Sequence, residues 1–122
     1  MVSVTRRDNE DTVKVKKAFP PNYEDICAAI PGVKDKEGIV FTYGDTIYNP
    51  GDFHIDDHLD THESVHERQQ TSMGIDEWWA RYLVDTKFRL EQEIEAYRIQ
   101  YRFVVKEYGL GVASALDRKS VV

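Results

Sequence analysis

The apolar residues of this chain recur at two different spacings, and the switch between them divides it. Near the N-terminus, Thr12-Val13-Lys14-Val15-Lys16 alternates polar and apolar, but it is short and lies among residues of mixed charge. Residues 1–19 are therefore read as a loose polar arm rather than an edge strand. Pro20-Pro21-Asn22 is a stiff break, and Asn22 is suited to cap a short helix from Tyr23 to about Ile30, with Ile26, Cys27 and Ile30 inward and Pro31-Gly32 ending it. The β-branched and aromatic run Ile39–Tyr43, then Gly44-Asp45, then Thr46-Ile47-Tyr48 predicts a β-hairpin closed by Asn49-Pro50-Gly51.

Beyond residue 55 the spacing becomes helical. With His62 at zero and roughly 100° per residue, Ile55, Leu59, Val65, His66, Gln69 and Met73 fall within roughly 60° of it, so a helix from about Asp56 to Gln70 points both histidines inward. Gly74 predicts its stop, and Asp76 starts another helix holding Trp78, Trp79, Tyr82 and Leu83. Thr86 to Tyr108 contains no Gly or Pro. There Leu90, Ile94, Tyr97, Tyr101, Val104 and Tyr108 recur at steps of four and three, the mark of one apolar helix stripe, with Asp85 or Thr86 as cap. After Gly111 the pattern ends in a tail, residues 112–122. The expected fold is α+β: one mostly helical domain over residues 20–111, with a small hairpin beside an inward-facing helix and a long C-terminal helix.

Composition narrows the function. The chain has 122 residues, 41% hydrophobic and 31% charged, which is globular rather than disordered. Its 16 basic and 22 acidic residues leave a formal charge of -6, so phosphate neutralisation on a nucleic acid is not expected. Between Asp52 and Glu67 stand six acids and no Lys or Arg, a field that favours cations, although it lacks the Asp and Glu spacing of an EF-hand loop. Cys27 is the single cysteine, so no intramolecular disulfide and no Cys-type zinc site can form. With no signal-peptide pattern and no long apolar run, the expectation is a cytoplasmic protein with no membrane partner.

Candidate chemistry centres on His62-Glu63-Ser64-Val65-His66, an HExxH pattern. Two imidazoles four residues apart share one side of a helix and can bind a divalent ion, while Glu63, a quarter-turn away, can take a proton from water. The same offsets also arise on ordinary helices whose histidines are satisfied by hydrogen bonds. A third ligand discriminates, and Glu91, Glu93 and Glu95 compete for the role. With Leu90 at zero, Glu93 lies at about -60°, Glu91 at about 100° and Glu95 at about 140°, so only Glu93 borders the predicted inward face. An ion pair with Arg89 is the alternative use of Glu93. His54 and His58 extend the four-residue spacing and are read as rim residues. Trp78 and Trp79 are read as core anchors in preference to a substrate groove.

HExxH followed on a later helix by Glu and then Ala, here Glu93-Ile94-Glu95-Ala96-Tyr97, resembles the gluzincin metallopeptidases. At this length the likeness is to single-domain versions and to small HExxH proteins often carried by phages. It covers Ile39 to Tyr108. The resemblance implies one Zn²⁺ held by His62, His66 and Glu93, Glu63 as general base, and a peptide or protein substrate lying along the edge Ile39, Val40, Phe41 and Thr42. In that family an Asp often stands four residues after the ligand Glu; here that position is Tyr97. Tyr97, Tyr101 and Arg98 are the candidates for support of a ligand or of the transition state. The alternative is a non-catalytic module whose metal serves folding or binding, or a latent peptidase blocked by its own tail.

Overall fold

The computed structural model describes residues 2–6 and 12–111, and the tail expected at 112–122 lies outside them. Strands β1 (Val2–Arg6) and β2 (Thr12–Lys16) are followed by helix α1 (Tyr23–Ala29) and a 3-10 turn over Pro31–Asp35. Strands β3 (Phe41–Tyr43) and β4 (Thr46–Tyr48) come next, then helices α2 (Asp57–Met73), α3 (Ile75–Val84) and α4 (Thr86–Tyr108). The architecture is the expected α+β one. No helix among the described residues is long and apolar enough to cross a membrane.

The sheet has four strands in the order β1-β2-β4-β3, antiparallel at both ends and parallel between β2 and β4. Reading residues 12–16 as part of a loose arm is thus corrected. Val15 pairs with Ile47 and joins a small apolar cluster with Val40, Ile47, Ile55 and Leu59. Burial against partners distant in sequence holds β2 in place, and a five-residue alternation cannot announce such partners. The hairpin forms as expected, with a two-residue loop between Tyr43 and Thr46. Gly44 takes φ 64° there, at the first central position, where a turn of the II′ kind needs a positive φ.

α2 occupies the middle of the molecule. Its buried residues His62, Glu63, Val65, His66 and Gln70 span more than one helix face, because β3 packs on one side and α4 on the other. Gly74 stops it with φ 105°. α3 supplies Trp78, Trp79 and Tyr82 to the main core, where they meet Ile26, Val33, Phe41 and Phe88. Both tryptophans are core anchors, as expected.

α4 has the predicted bounds but not the predicted rotation. Leu90, Ile94 and Tyr108 are 60%, 39% and 51% exposed, whereas Phe88, Ala96, Gln100 and Val104 are buried. The inward face is therefore turned by roughly 90° from the most regular apolar stripe. Polar groups select it: Glu93, Gln92 and Gln100 meet partners on α2 and α3 that Leu90 and Ile94 cannot offer. Asp85 caps the helix, its carboxylate accepting from the Phe88 amide at 3.0 Å. Replacing it, Asp85→Ala, is expected to cost about 1 kcal/mol, read as a lower urea midpoint, with Asp85→Asn recovering most of the loss.

Candidate metal centre

Three donor atoms from two helices converge at one point. His62 Nε2 and His66 Nε2 lie 3.2 Å apart, and Glu93 Oε1 lies 3.1 Å from the first and 3.0 Å from the second. A tetrahedral ion at about 2.0 to 2.1 Å from each donor would set such atoms about 3.3 Å apart, so little movement is needed to hold one. The four-residue spacing on α2 brings the imidazoles together, with ring centroids 4.8 Å apart. The packing of α4 against α2 delivers the carboxylate. Small Ala96, fully buried one turn further on, accompanies that close approach.

Each imidazole is fixed from behind. His66 Nδ1 faces Gln69 Oε1 at 2.8 Å, and the Gln69 amide nitrogen donates to the Gln92 carbonyl and to Glu95. His62 Nδ1 faces Gln100 Oε1 at 2.9 Å, while Gln100 Nε2 lies 2.9 Å from His58 Nδ1. Both glutamines thus spend their N–H groups elsewhere and present a carbonyl oxygen to the ring. Each ring must donate from Nδ1, so its Nε2 offers a lone pair to an ion when the ring is neutral and donates to Glu93 only when it carries a second proton. His58 Nε2 reaches Asp56 at 3.3 Å, so the rim histidine is the end of a chain running from the surface to His62. His54, 86% exposed, contacts the same Asp56 carboxylate from outside.

Glu63 turns toward β3 yet stays beside the imidazoles, with side-chain donor atoms of His62, Glu63 and His66 all within 4.8 Å of one another. Thr42 on β3 donates to its Oε1 at 2.7 Å, while Oε2 is buried, has no hydrogen-bond partner, and lies 4.0 Å from His62 Nε2. Burial raises the Glu63 carboxyl above its usual range, and the neighbouring imidazoles and the Thr42 hydroxyl only partly offset this. Burial also favours the charged form of neither Glu93 nor His66. For Glu93, however, hydrogen bonds from both imidazoles and from Tyr82 hold the carboxyl well below its usual range. The same carboxylate pushes His66 up to about 9. Tyr82 donates to Glu93 Oε2 at 2.5 Å, and its own phenol is raised by burial and by that charge.

A cavity of about 20 Å³, room for a single water, lies among Thr42, Glu63, His66, Trp78, Tyr82 and Glu93. The orphaned Glu63 oxygen and the two-imidazole, one-carboxylate donor set both suit a divalent cation carrying water.

The expected residues divide accordingly. His62, Glu63, His66 and Glu93 come together. Arg89 does not pair with Glu93; its guanidinium donates to the Tyr82 and Leu83 carbonyls at the end of α3. Tyr97 lays its ring against His62 at 4.8 Å, while Tyr97, Tyr101 and Arg98 are not among the residues lining the cavity. The edge Ile39, Val40, Phe41 and Thr42 runs beside the site, but only its last two residues are strand. There Gln70 donates to the Thr42 carbonyl and accepts from the Gly44 amide, both at 2.7 Å, so part of the open edge is already paired. From the sequence, Thr42 is legible only as part of the substrate edge and Gln69 and Tyr82 only as helix residues, and the contacts that they and Gln100 make beside the donors are not. Gln100 carried a usable signal, since it stands two turns after Glu93 on the same face.

No protein-family model matches the chain, and neither a curated protein nor a solved structure shows significant similarity to it. If the outer hydrogen bonds set the tautomers, Gln100→Ala should weaken zinc binding about 10- to 100-fold in a competition titration with a chelator. Tyr101→Phe should leave it unchanged.

Proposed function

We propose that the chain is a divalent-metal-dependent hydrolase acting on peptide bonds. One observation carries this reading: Glu63 Oε2 is buried, unpartnered and aimed beside the point where three donor atoms meet. A metal that served folding alone would need no such group, because an unsatisfied buried carboxylate oxygen costs stability.

His62, His66 and Glu93 would hold the ion, and their nitrogen and oxygen donors suit zinc first, with manganese, cobalt and nickel also accommodated. Such an ion, when bound, polarises a carbonyl and lowers the pKa of bound water to about 7. Thr42 fixes one oxygen of Glu63, leaving the other to accept the proton of the attacking water and return it to the leaving amine. Burial keeps that carboxyl closer to neutrality than a surface Glu, which matches a group that must both take and give a proton. Tyr82, on the far oxygen of Glu93, orients the third donor.

A second reading has its own support. His62, Glu63 and His66 are 0%, 2% and 4% exposed and the cavity holds about one water, which also fits a metal that knits α2 to α4.

The two readings part in one experiment, in which the parent, Glu63→Gln and His66→Ala are loaded with zinc and assayed for metal content, thermal unfolding and cleavage of a denatured protein. The hydrolase reading expects Glu63→Gln to keep its metal and melting point while losing at least about 100-fold in turnover. His66→Ala should lose the metal. A parent that holds zinc tightly, melts higher with it and cleaves nothing would give the site to structure.

A further inference from the structure

A groove of about 420 Å³ opens beside Phe41. Phe19, Tyr23, Phe41 and Phe53 contribute to its walls. Two of these rings are held in water, Phe19 at 57% and Phe53 at 47% exposure.

Local structure is committed to keeping them there. Buried Asn49 clamps Phe53 by both backbone groups, donating to its carbonyl at 2.7 Å and accepting from its amide at 3.2 Å. Between them Asp52 sits at φ 54°, a left-handed turn conformation that Asp adopts more readily than most side-chain-bearing residues. The Phe53 ring lies so close over Gly51 that a Cβ there would collide with it. On the other side Phe19 packs on Tyr23 with centroids 4.4 Å apart, and Tyr23 meets Phe41 edge-on at 5.8 Å. Exposed aromatic rings fixed by a buried amide and a tight turn suit an apolar ligand better than they suit water.

Charge and position narrow that ligand. Lys34 and Lys36 line the groove with one acid, Glu37, giving a local positive excess in a chain of net charge -6. Phe41 also lines the small cavity that holds Glu63, His66 and Glu93, so this one buried ring is common to the walls of the groove and of the proposed reaction centre.

We infer that this groove is the recognition subsite for an extended peptide, which seats a large apolar or aromatic side chain against Phe19 and Phe53 and an adjoining carboxylate against Lys34 and Lys36. The inference rests on the hydrolase reading only in naming the peptide as substrate; binding itself requires neither the ion nor Glu63.

The test titrates Glu63→Gln protein, which cannot turn over its ligand, with the blocked peptide acetyl-Ala-Phe-Asp-Ala-amide, followed by calorimetry and amide chemical shifts. Replacing its Phe by Gly should weaken binding about tenfold, and replacing its Asp by Asn about threefold. Adding Phe53→Ala should erase the first difference, and Lys34→Ala with Lys36→Ala the second. Phe19→Ala provides an independent check should Phe53→Ala melt early. Equal affinity for the Phe and Gly peptides, or discrimination that survives both aromatic substitutions, overturns the inference. So does self-association that depends on Phe53 without peptide binding, which would give the groove to a second copy. Cleavage by the parent with groove variants unaffected would remove the subsite and leave the hydrolase, whereas groove binding without any cleavage would do the reverse.

Discussion

The structure depends on one buried ionic contact, the Glu93 carboxylate between the His62 and His66 imidazoles. A carboxylate this far from water is tolerated only where other groups replace its hydration. Two ring nitrogens and the Tyr82 hydroxyl do so here. Because these partners come from α2 and α3, satisfying Glu93 fixes how α4 lies against both. The register of the three-helix unit is thus specified by a polar cluster, with apolar packing from Trp78, Tyr82, Phe88 and Val104 supplying the bulk of the burial around it.

This order of importance explains which parts of the chain could be read in advance. Helix bounds were legible, since α4 begins after a capping Asp85 and ends at Gly109, and α2 ends at Gly74, each a signal carried by one residue. The hairpin was legible for the same reason. The rotation of α4 was not, because counting apolar residues assumes that the inner face is the greasier one. Here Gln92, Glu93 and Gln100 turn inward while Leu90 and Ile94 remain in water. The placement of Glu93 at the rim of a misjudged face was nonetheless near the mark, because the true inward face is centred on its other side.

The site itself was legible as donors and not as a working arrangement. The two histidines and Glu63 follow from helical spacing alone. What makes them usable, the glutamines behind each ring and the Thr42 hydroxyl on Glu63, depends on contacts 3 to 38 residues apart in sequence. Glutamine has no strong local signature, so its part in fixing tautomers emerges only once the helices are packed. The side chain facing His62 from behind is Gln100, although Tyr97 stands at the position first expected to serve it.

Gln70 has a consequence of another kind. A sheet that ends in a bare strand invites strands from other molecules, and proteins commonly discourage this with lysines, prolines or bulges. β3, the outermost strand, has instead a side-chain amide bonded to Thr42 and Gly44 in the manner of a neighbouring backbone. The amide belongs to the same helix that carries both imidazoles, one turn beyond His66. Insoluble cross-strand assembly from this end of the sheet is therefore checked only while α2 stays docked, so the helix that bears the proposed chemistry also guards the molecule against polymerising.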